Sequence, residues 1–400
     1  MCIPLYLFFR FIKATSWIMD TNVTFNIDPD IGGFTEWTNL SATIHTPVYL
    51  GSATTSDLEN VQSTFNVVGF IFTPTILIVG VFGNCMTILT MISKSFSDLT
   101  SRYILIGLSL SDTTFLLLQP FNKMFIIQLI GLDTRALSRG GCKLFFWLFK
   151  TSKMTSSWLI VMLCFERFVA VIFPLKIKHI LNKRNILVLV ACVVSAIGFF
   201  NSMWSFASNV KDGTCQPDVM FPDTKLKYRN FLLMGTTIYS FVPITIILIL
   251  TPTIVWKLIQ KRRNRQRHVL QHGNNRATKK DSKEIRASLV IISVVVAFVI
   301  LVCPIAMMFI ISFWQNLAVF QANNVLFFVA REMTQLLEQI NYSITFFLYI
   351  MCSDTFRRRA LQILRRPCSG TRVEPLSRIG GMVQSTSNHI SSRRTSQTSR

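Results

Sequence analysis

Leu144–Phe173 reads LFFWLFKTSKMTSSWLIVMLCFERFVAVIF. A membrane-crossing helix needs about 20 mostly apolar residues. This stretch meets that length, with its charges confined to Lys150, Lys153 and the adjacent Glu166 and Arg167. Working outward from it, the same reading applies to Phe65–Ile92, Tyr103–Leu129, Ile186–Phe206, Phe231–Leu258, Ile285–Phe313 and Val325–Met351, each bounded by polar or turn-forming residues. The sequence therefore predicts an all-α protein, a seven-transmembrane helix bundle.

The composition agrees. Half of the 400 residues are hydrophobic and 15% are charged, against about 25% charged in an average soluble protein. The mean hydropathy is +0.45. A chain of this length has room for several soluble domains of roughly 150 residues, but the apolar runs occupy most of it. One membrane domain with polar ends fits better.

The net charge of +22 would suggest nucleic acid in a soluble protein. Its placement argues against that partner. No Lys or Arg lies between Lys13 and Lys94, where Asp20, Asp28, Asp30, Glu36, Asp57 and Glu59 stand instead. The positive charge sits in short segments between later runs: Lys176, Lys178, Lys183 and Arg184, then Lys257 through Lys283, then Arg357–Arg359. Basic loops mark the cytoplasmic side, so the N-terminus is expected outside and the C-terminus inside, in the plasma membrane. The expected organisation is an extracellular segment 1–64, the membrane domain 65–351, an amphipathic cytoplasmic helix 352–368 and a disordered cytoplasmic tail 369–400.

The ends carry their own signals. Asn22-Val23-Thr24 and Asn39-Leu40-Ser41 are glycosylation acceptor patterns in the acidic N-terminal stretch. Residues 1–18 are apolar but broken by Arg10 and Lys13, a poor match to a signal peptide, and Met19 offers an alternative start. After the last run, Phe356, Ala360, Leu361 and Leu364 share one helical face with arginines elsewhere, the pattern of a helix lying on the inner membrane surface. Cys368 follows as a palmitoylation candidate. The nine cysteines include no C-x-x-C pair. Most lie in apolar runs, whereas Cys142 and Cys215 fall in polar surroundings at the same expected face.

Polar residues inside the runs are expensive and so informative. Gly83-Asn84 lies in the first, Asp112 in the second, Glu166-Arg167-Phe168 at the inner end of the third, Pro243 and Pro304 in the fifth and sixth, and Asn341 through Tyr349 closes the seventh. Taken in this order, the set resembles the rhodopsin-like (class A) G-protein-coupled receptors over about Phe65 to Leu364, most closely their peptide-receptor branch. The resemblance implies a disulfide between Cys142 and Cys215. It implies a coupling switch in which Arg167, held by Glu166 or by Glu284 of the sixth helix, is released to a heterotrimeric G protein when that helix opens, with Tyr349 as a further member. It implies a sodium pocket of Asp112, Ser156 and Asn341, whose oxygens suit a hard cation; no other cofactor is expected. The motifs also depart from the family's. The seventh-helix Asn-Pro-x-x-Tyr reads Thr345-Phe346-Phe347-Leu348-Tyr349, the sixth-helix Cys-Trp-x-Pro reads Leu301-Val302-Cys303-Pro304, and Thr251 replaces the fifth-helix tyrosine, while Phe298 is retained.

The resemblance also narrows the ligand. Phe149 stands where amine receptors carry an aspartate, and Gln339 where light receptors carry a lysine. The outer halves hold Lys123, Lys150, Lys153, Arg331, Glu332, Gln335 and Glu338. Mixed charges suit a peptide ligand; the same residues can also form internal ion pairs such as Lys153 with Glu338. Other readings are a receptor for a non-peptide small molecule or chemosensory ligand, a receptor that couples weakly, and a transporter, for which no internal repeat is seen. An enzyme is not expected, because no catalytic constellation appears. The tail, with Ser385, Thr386, Ser387, Ser391, Ser392 and Arg393-Arg394-Thr395-Ser396, is expected to meet kinases and arrestin.

Overall fold

A computed structural model describes residues 55–97, 99–122, 125–173, 181–217, 233–272, 275–314 and 325–365, with side chains throughout except at 55–59, 62 and 265–287. Asn22, Asn39, Lys123, Cys368 and the 369–400 tail lie outside the described residues, as does the Glu284 side chain. The helices that carry the architecture are α1 (Thr55–Ile92), α2 (Ser101–Asn122), α3 (Arg139–Ile172), α4 (Lys183–Phe206), α5 (Val242–His272), α6 (Asn275–Trp314), α7 (Val325–Cys352) and α8 (Asp354–Arg365).

The central helix is α3, which packs against α2, α4, α5 and α6. The outer ring closes through α6 on α7, α7 on α1 and α1 on α2. Gly80 shows how tight that closure is: a Cβ there would come within 2.8 Å of Ser343 Cβ on α7. Local chemistry fixes the helix starts. Ser138 caps α3 by accepting the Gly141 N–H at 2.8 Å, and Asn182 caps α4 by accepting the Asn185 N–H at 2.8 Å. One core cluster is built around Leu108, Leu159, Leu163, Phe298 and Val302, and a second around Phe115, Phe145, Phe149 and Tyr342.

Among the described residues, six helices are long and apolar enough to cross a membrane, those containing Ser63–Ile92, Ser101–Asn122, Arg139–Ile172, Lys183–Phe206, Leu233–Asn264 and Ser288–Ser312. Helix α7 falls short of that hydropathy because Thr334, Glu338, Gln339, Asn341, Tyr342, Ser343 and Thr345 are all buried in the bundle. It completes the ring by packing rather than by apolar content.

Several boundaries differ from the sequence expectation. The second run does not continue to Leu129: α2 stops at Asn122, two residues after Pro120, and a separate short helix spans Phe125–Ile130. Proline removes a donor from the ladder and crowds the preceding turn. The basic stretch expected as a loop is mostly helical, since α5 runs to His272 and α6 begins at Asn275. That stretch is rich in Lys, Arg and Gln, which are strong helix formers. The first helix begins ten residues earlier than Phe65, at Thr55.

Two further features were not expected. A hairpin pairs Ser208–Lys211 (β1) antiparallel to Thr214–Pro217 (β2), with Val210 opposite Cys215. Its turn is Asp212-Gly213 with φ of 50° and 70°. Asp-Gly is a favoured pair where both central residues need positive φ. Before α5, Thr237–Phe241 form one wide π turn. Pro243 has no N–H to bond the carbonyl of Tyr239, so the widened turn sits where the ladder is interrupted. The Trp158 indole donates to the neighbouring Ile238 carbonyl at 3.1 Å, supplying a partner from α3.

Candidate functional site

At the end of the bundle where α3 begins, the outer end in the expected orientation, the hairpin is fastened over the bundle. Cys142 at the start of α3 and Cys215 in β2 are joined by a disulfide, their Cα atoms 5.6 Å apart. Asp133, in the connection between α2 and α3, adds a polar tie. It accepts the Cys215 N–H at 2.9 Å, the Arg135 N–H at 3.0 Å and the Arg135 guanidinium at 2.9 Å. Burial alone would push its carboxyl up. The hydrogen bonds from Arg135 and Cys215, together with the Arg135 charge, outweigh burial and leave it below its ordinary value.

Beneath the hairpin lies a charged cluster. Lys153 Nζ on α3 is 2.7 Å from Glu338 Oε1 on α7. The Tyr239 hydroxyl, from the π turn, donates to the same carboxylate and lies 3.1 Å from the Tyr342 hydroxyl. Lys153 also stands over the Tyr239 ring at 4.5 Å. One turn outward, Lys150 Nζ is 4.4 Å from the centre of the Trp204 ring on α4, and among the described residues no carboxylate lies within ion-pair distance of it. Phe149 stacks on Phe115, which tilts against Tyr342. Arg331 and Glu332 pair with each other at 2.9 Å, and Gln335 is half-buried on α7. Of the pocket residues grouped from sequence, Lys153 and Glu338 meet directly. The structure thus shows the internal ion pair that was one of the two readings. Tyr239 and Trp204 were missed: the first is brought in by the π turn, the second by α4 packing, and neither leaves a periodic signal.

Midway down, the Ser156 hydroxyl on α3 donates to Asp112 Oδ1 on α2 at 2.6 Å. Asn341 is buried nearby in sequence to Tyr342, and among the described residues no hydrogen bond joins it to either. Asn84 donates to the Tyr342 carbonyl at 3.0 Å and keeps its own carbonyl oxygen buried and unpartnered; the Ser109 hydroxyl is also unpartnered. One acid with hydroxyl and amide oxygens is a donor set for a hard monovalent cation, and among the described residues no group of three or more His, Cys, Asp or Glu could hold a metal ion.

At the inner end, Glu166 accepts from Thr100 at 3.0 Å and from Ser101 at 2.8 Å. Arg167 Nε lies 2.9 Å from Glu166 Oε2, a charge contact rather than an aligned hydrogen bond, and its Nη2 donates to Ser101 Oγ. Tyr349 is buried against Phe356 of α8, its ring 5.3 Å away and its hydroxyl without a partner. Glu284 belongs to α6, but its side chain lies outside the description. The hydroxyls of Thr100 and Ser101 were missed because residues at a helix start carry no periodic signature.

A central α3 bearing a disulfide at its outer end and a buried Glu-Arg pair at its inner end is matched by known proteins. Residues 83–353 match the profile described as 7 transmembrane receptor (rhodopsin family). The chain belongs to that family. The receptor is also similar to melanin-concentrating hormone receptor 1 of Macaca mulatta, 27% identical over 174 residues, 42% of this chain and 48% of the relative. The Sus scrofa protein of the same name is 29% identical over 162 residues, 38% and 44% of the two chains. The receptor thus spans about half the length of these relatives. A G-protein coupled receptor homolog, Q2/3L of Sheeppox virus (strain KS-1), is 24% identical over 307 residues, 74% and 73% of the two chains. Members of this family are receptors rather than enzymes, and the seven-helix bundle of the sequence reading stands.

Proposed function

We propose that the receptor binds an extracellular peptide hormone or neuropeptide and activates a heterotrimeric G protein at its inner face, with its N-terminus outside the plasma membrane. The observation that carries the ligand class is the charged floor beneath the hairpin. Lys150, Lys153 and Glu338 present two ammonium groups against one carboxylate, and the carboxylate is already engaged by Lys153 and Tyr239. A flexible ligand with an acidic group satisfies Lys150, and a peptide supplies that group together with backbone donors and acceptors. Relatives named for a hormone support the same reading. At the inner face, opening α6 exposes Arg167 to the G protein. Asp112 and Ser156 would hold a sodium ion in the closed state, where it would neutralise the buried carboxylate. Kinases and arrestin would act on the serine-rich tail.

A receptor that binds ligand but couples weakly is the second reading. It is favoured by α7, which runs unbroken to Cys352 with Phe346 where the family has proline. Cells displaying the chain, exposed to a panel of peptide hormones and read by second-messenger output, decide between the two. A responding peptide whose signal is lost in Arg167→Ala while binding persists supports coupling. Binding without any output supports the second reading. Glu284→Ala should raise basal output about tenfold if it removes about 1.4 kcal/mol from the closed state. A flat basal level would remove Glu284 from the switch.

A further inference from the structure

Lys150 is held by an indole rather than by an acid. Its Nζ stands 4.4 Å from the centre of the Trp204 ring. Among the described residues, the other carboxylates of the outer half are spent elsewhere: Asp133 on Arg135, Glu332 on Arg331 and Glu338 on Lys153. Asp212 sits exposed at the hairpin turn. The ring itself is fixed. Trp204 is 4% exposed and packs in the cluster that contains both halves of the Cys142–Cys215 disulfide. Lys150 is only half-buried. An indole face attracts an ammonium through the ring quadrupole, but it accepts no ordinary hydrogen bond and brings no counter-charge. The ring therefore aims Lys150 without satisfying it.

The level beneath it is closed. Lys153, one turn further in, is 2.7 Å from Glu338, Tyr239 donates to the same carboxylate, and the Tyr239 and Tyr342 hydroxyls lie 3.1 Å apart. A chain that reaches Lys150 meets this packed layer and has no way past it. The flanks are apolar. Phe146 stands one turn outward on the same side of α3, and Phe149 stacks on Phe115 and Phe145. A chain end suits such a place better than a loop, because it carries a carboxylate with no backbone to continue, and its last side chain lies beside that carboxylate.

We infer that Lys150 takes the free C-terminal carboxylate of a peptide whose last residue is apolar or aromatic, and that Trp204 is the positioning residue that aims Lys150 at it. The inference rests on the peptide reading above and deepens it, naming which end of the peptide enters and the chemistry of that end. Trp204 touches no ligand in this account. It acts through the ammonium it holds.

The test offers the full chain in nanodiscs, beside empty nanodiscs, a mixed peptide library in which every member occurs with a free and with an amidated C-terminus. Retained members are read by mass spectrometry. Free acids with an apolar last residue should be retained over their amides by about ten- to a hundredfold, the worth of a hydrogen bond to a charged group. Lys150→Met should erase that preference. Trp204→Leu should reduce it about three- to tenfold, and Trp204→Phe, which still offers a ring face, should restore most of it. Lys143→Gln removes an exposed charge from the same helix and should leave the preference within about twofold. Thermal unfolding of each variant exposes a purely structural loss, which lowers retention of acids and amides alike. Equal retention of acids and amides, a preference that survives Lys150→Met, or an equal loss in Lys143→Gln would overturn the inference. So would a preference that follows internal Asp or Glu in amidated members. No member retained above empty nanodiscs would instead sink the peptide reading itself.

Discussion

The outer and inner halves of the bundle each bury a cation against a glutamate, but they wire the pair differently. In the outer half Lys153 and Glu338 come from α3 and α7, so their 2.7 Å contact joins two helices. In the inner half Arg167 and Glu166 are neighbours on α3, and among the described residues the hydroxyls of Thr100 and Ser101 reach across from the α2 end. Pulling helices apart breaks the outer pair and leaves the inner pair whole. The outer cluster is therefore sensitive to helix spacing. The Glu166–Arg167 contact keeps its charges neutralised when the helices move apart, and any partner binding the arginine would have to displace Glu166.

The largest effect should come from breaking the outer pair. Lys153→Met or Glu338→Gln alone strands a buried partner, worth about 3–5 kcal/mol of stability. Thermal denaturation in detergent should show the double variant milder than the worse single one. Strictly additive losses would mean the two groups do not sense each other.

A smaller effect is expected at the inner pair. Ser101→Ala removes a hydrogen bond to a charged group, about 1.5–3 kcal/mol, but leaves the Glu166–Arg167 contact. Stability should drop while ligand-evoked output persists. Output lost at normal surface expression would show that the hydroxyl, not the ion pair, holds the switch.

The tie at the mouth is smaller again and depends on pH. Asp133→Ala should cost about 1 kcal/mol, as for lost capping residues. The Asp133 carboxyl is held below its ordinary value, so its contribution is full above the ordinary carboxylate range and is lost as pH falls through the lowered value. Acid titration of thermal stability should be flatter in the variant, and identical curves would remove Asp133 from the tie. Least of all should be Arg331→Gln with Glu332→Gln: that pair joins neighbours near the start of α7, and about 0.2–1 kcal/mol is usual for such pairs. A loss rivalling that of Glu338→Gln would mean that α7 relies on its rim more than on its buried carboxylate.

What the sequence disclosed follows from what leaves a pattern. Apolar length marked all seven helices in the sequence, and six of them also qualify by hydropathy in the structure; the seventh, Val325–Cys352, is held by packing around its polar residues. Asp112 and Ser156 were grouped by resemblance and are hydrogen-bonded, whereas Asn341, grouped with them, is buried without such a bond. Tyr239 stayed hidden because its aim depends on one wide turn, and Trp204 because an indole over an ammonium needs two helices to be placed first. The hairpin was not expected: Asp212-Gly213 is a turn signal, but the apolar helical runs around it mask the short strands.

The polarity of α7 has a consequence for biogenesis. An acid near the centre of a lone helix opposes entry into lipid by several kcal/mol. Glu338, Gln339 and Asn341 become tolerable once Lys153, Tyr239 and the walls of α1, α2 and α6 surround them. The seventh helix of the bundle is thus the one least able to insert by itself. It enters as a guest of six predecessors, and a chain whose earlier helices assemble poorly would strand α7 at the translocon for quality control to find.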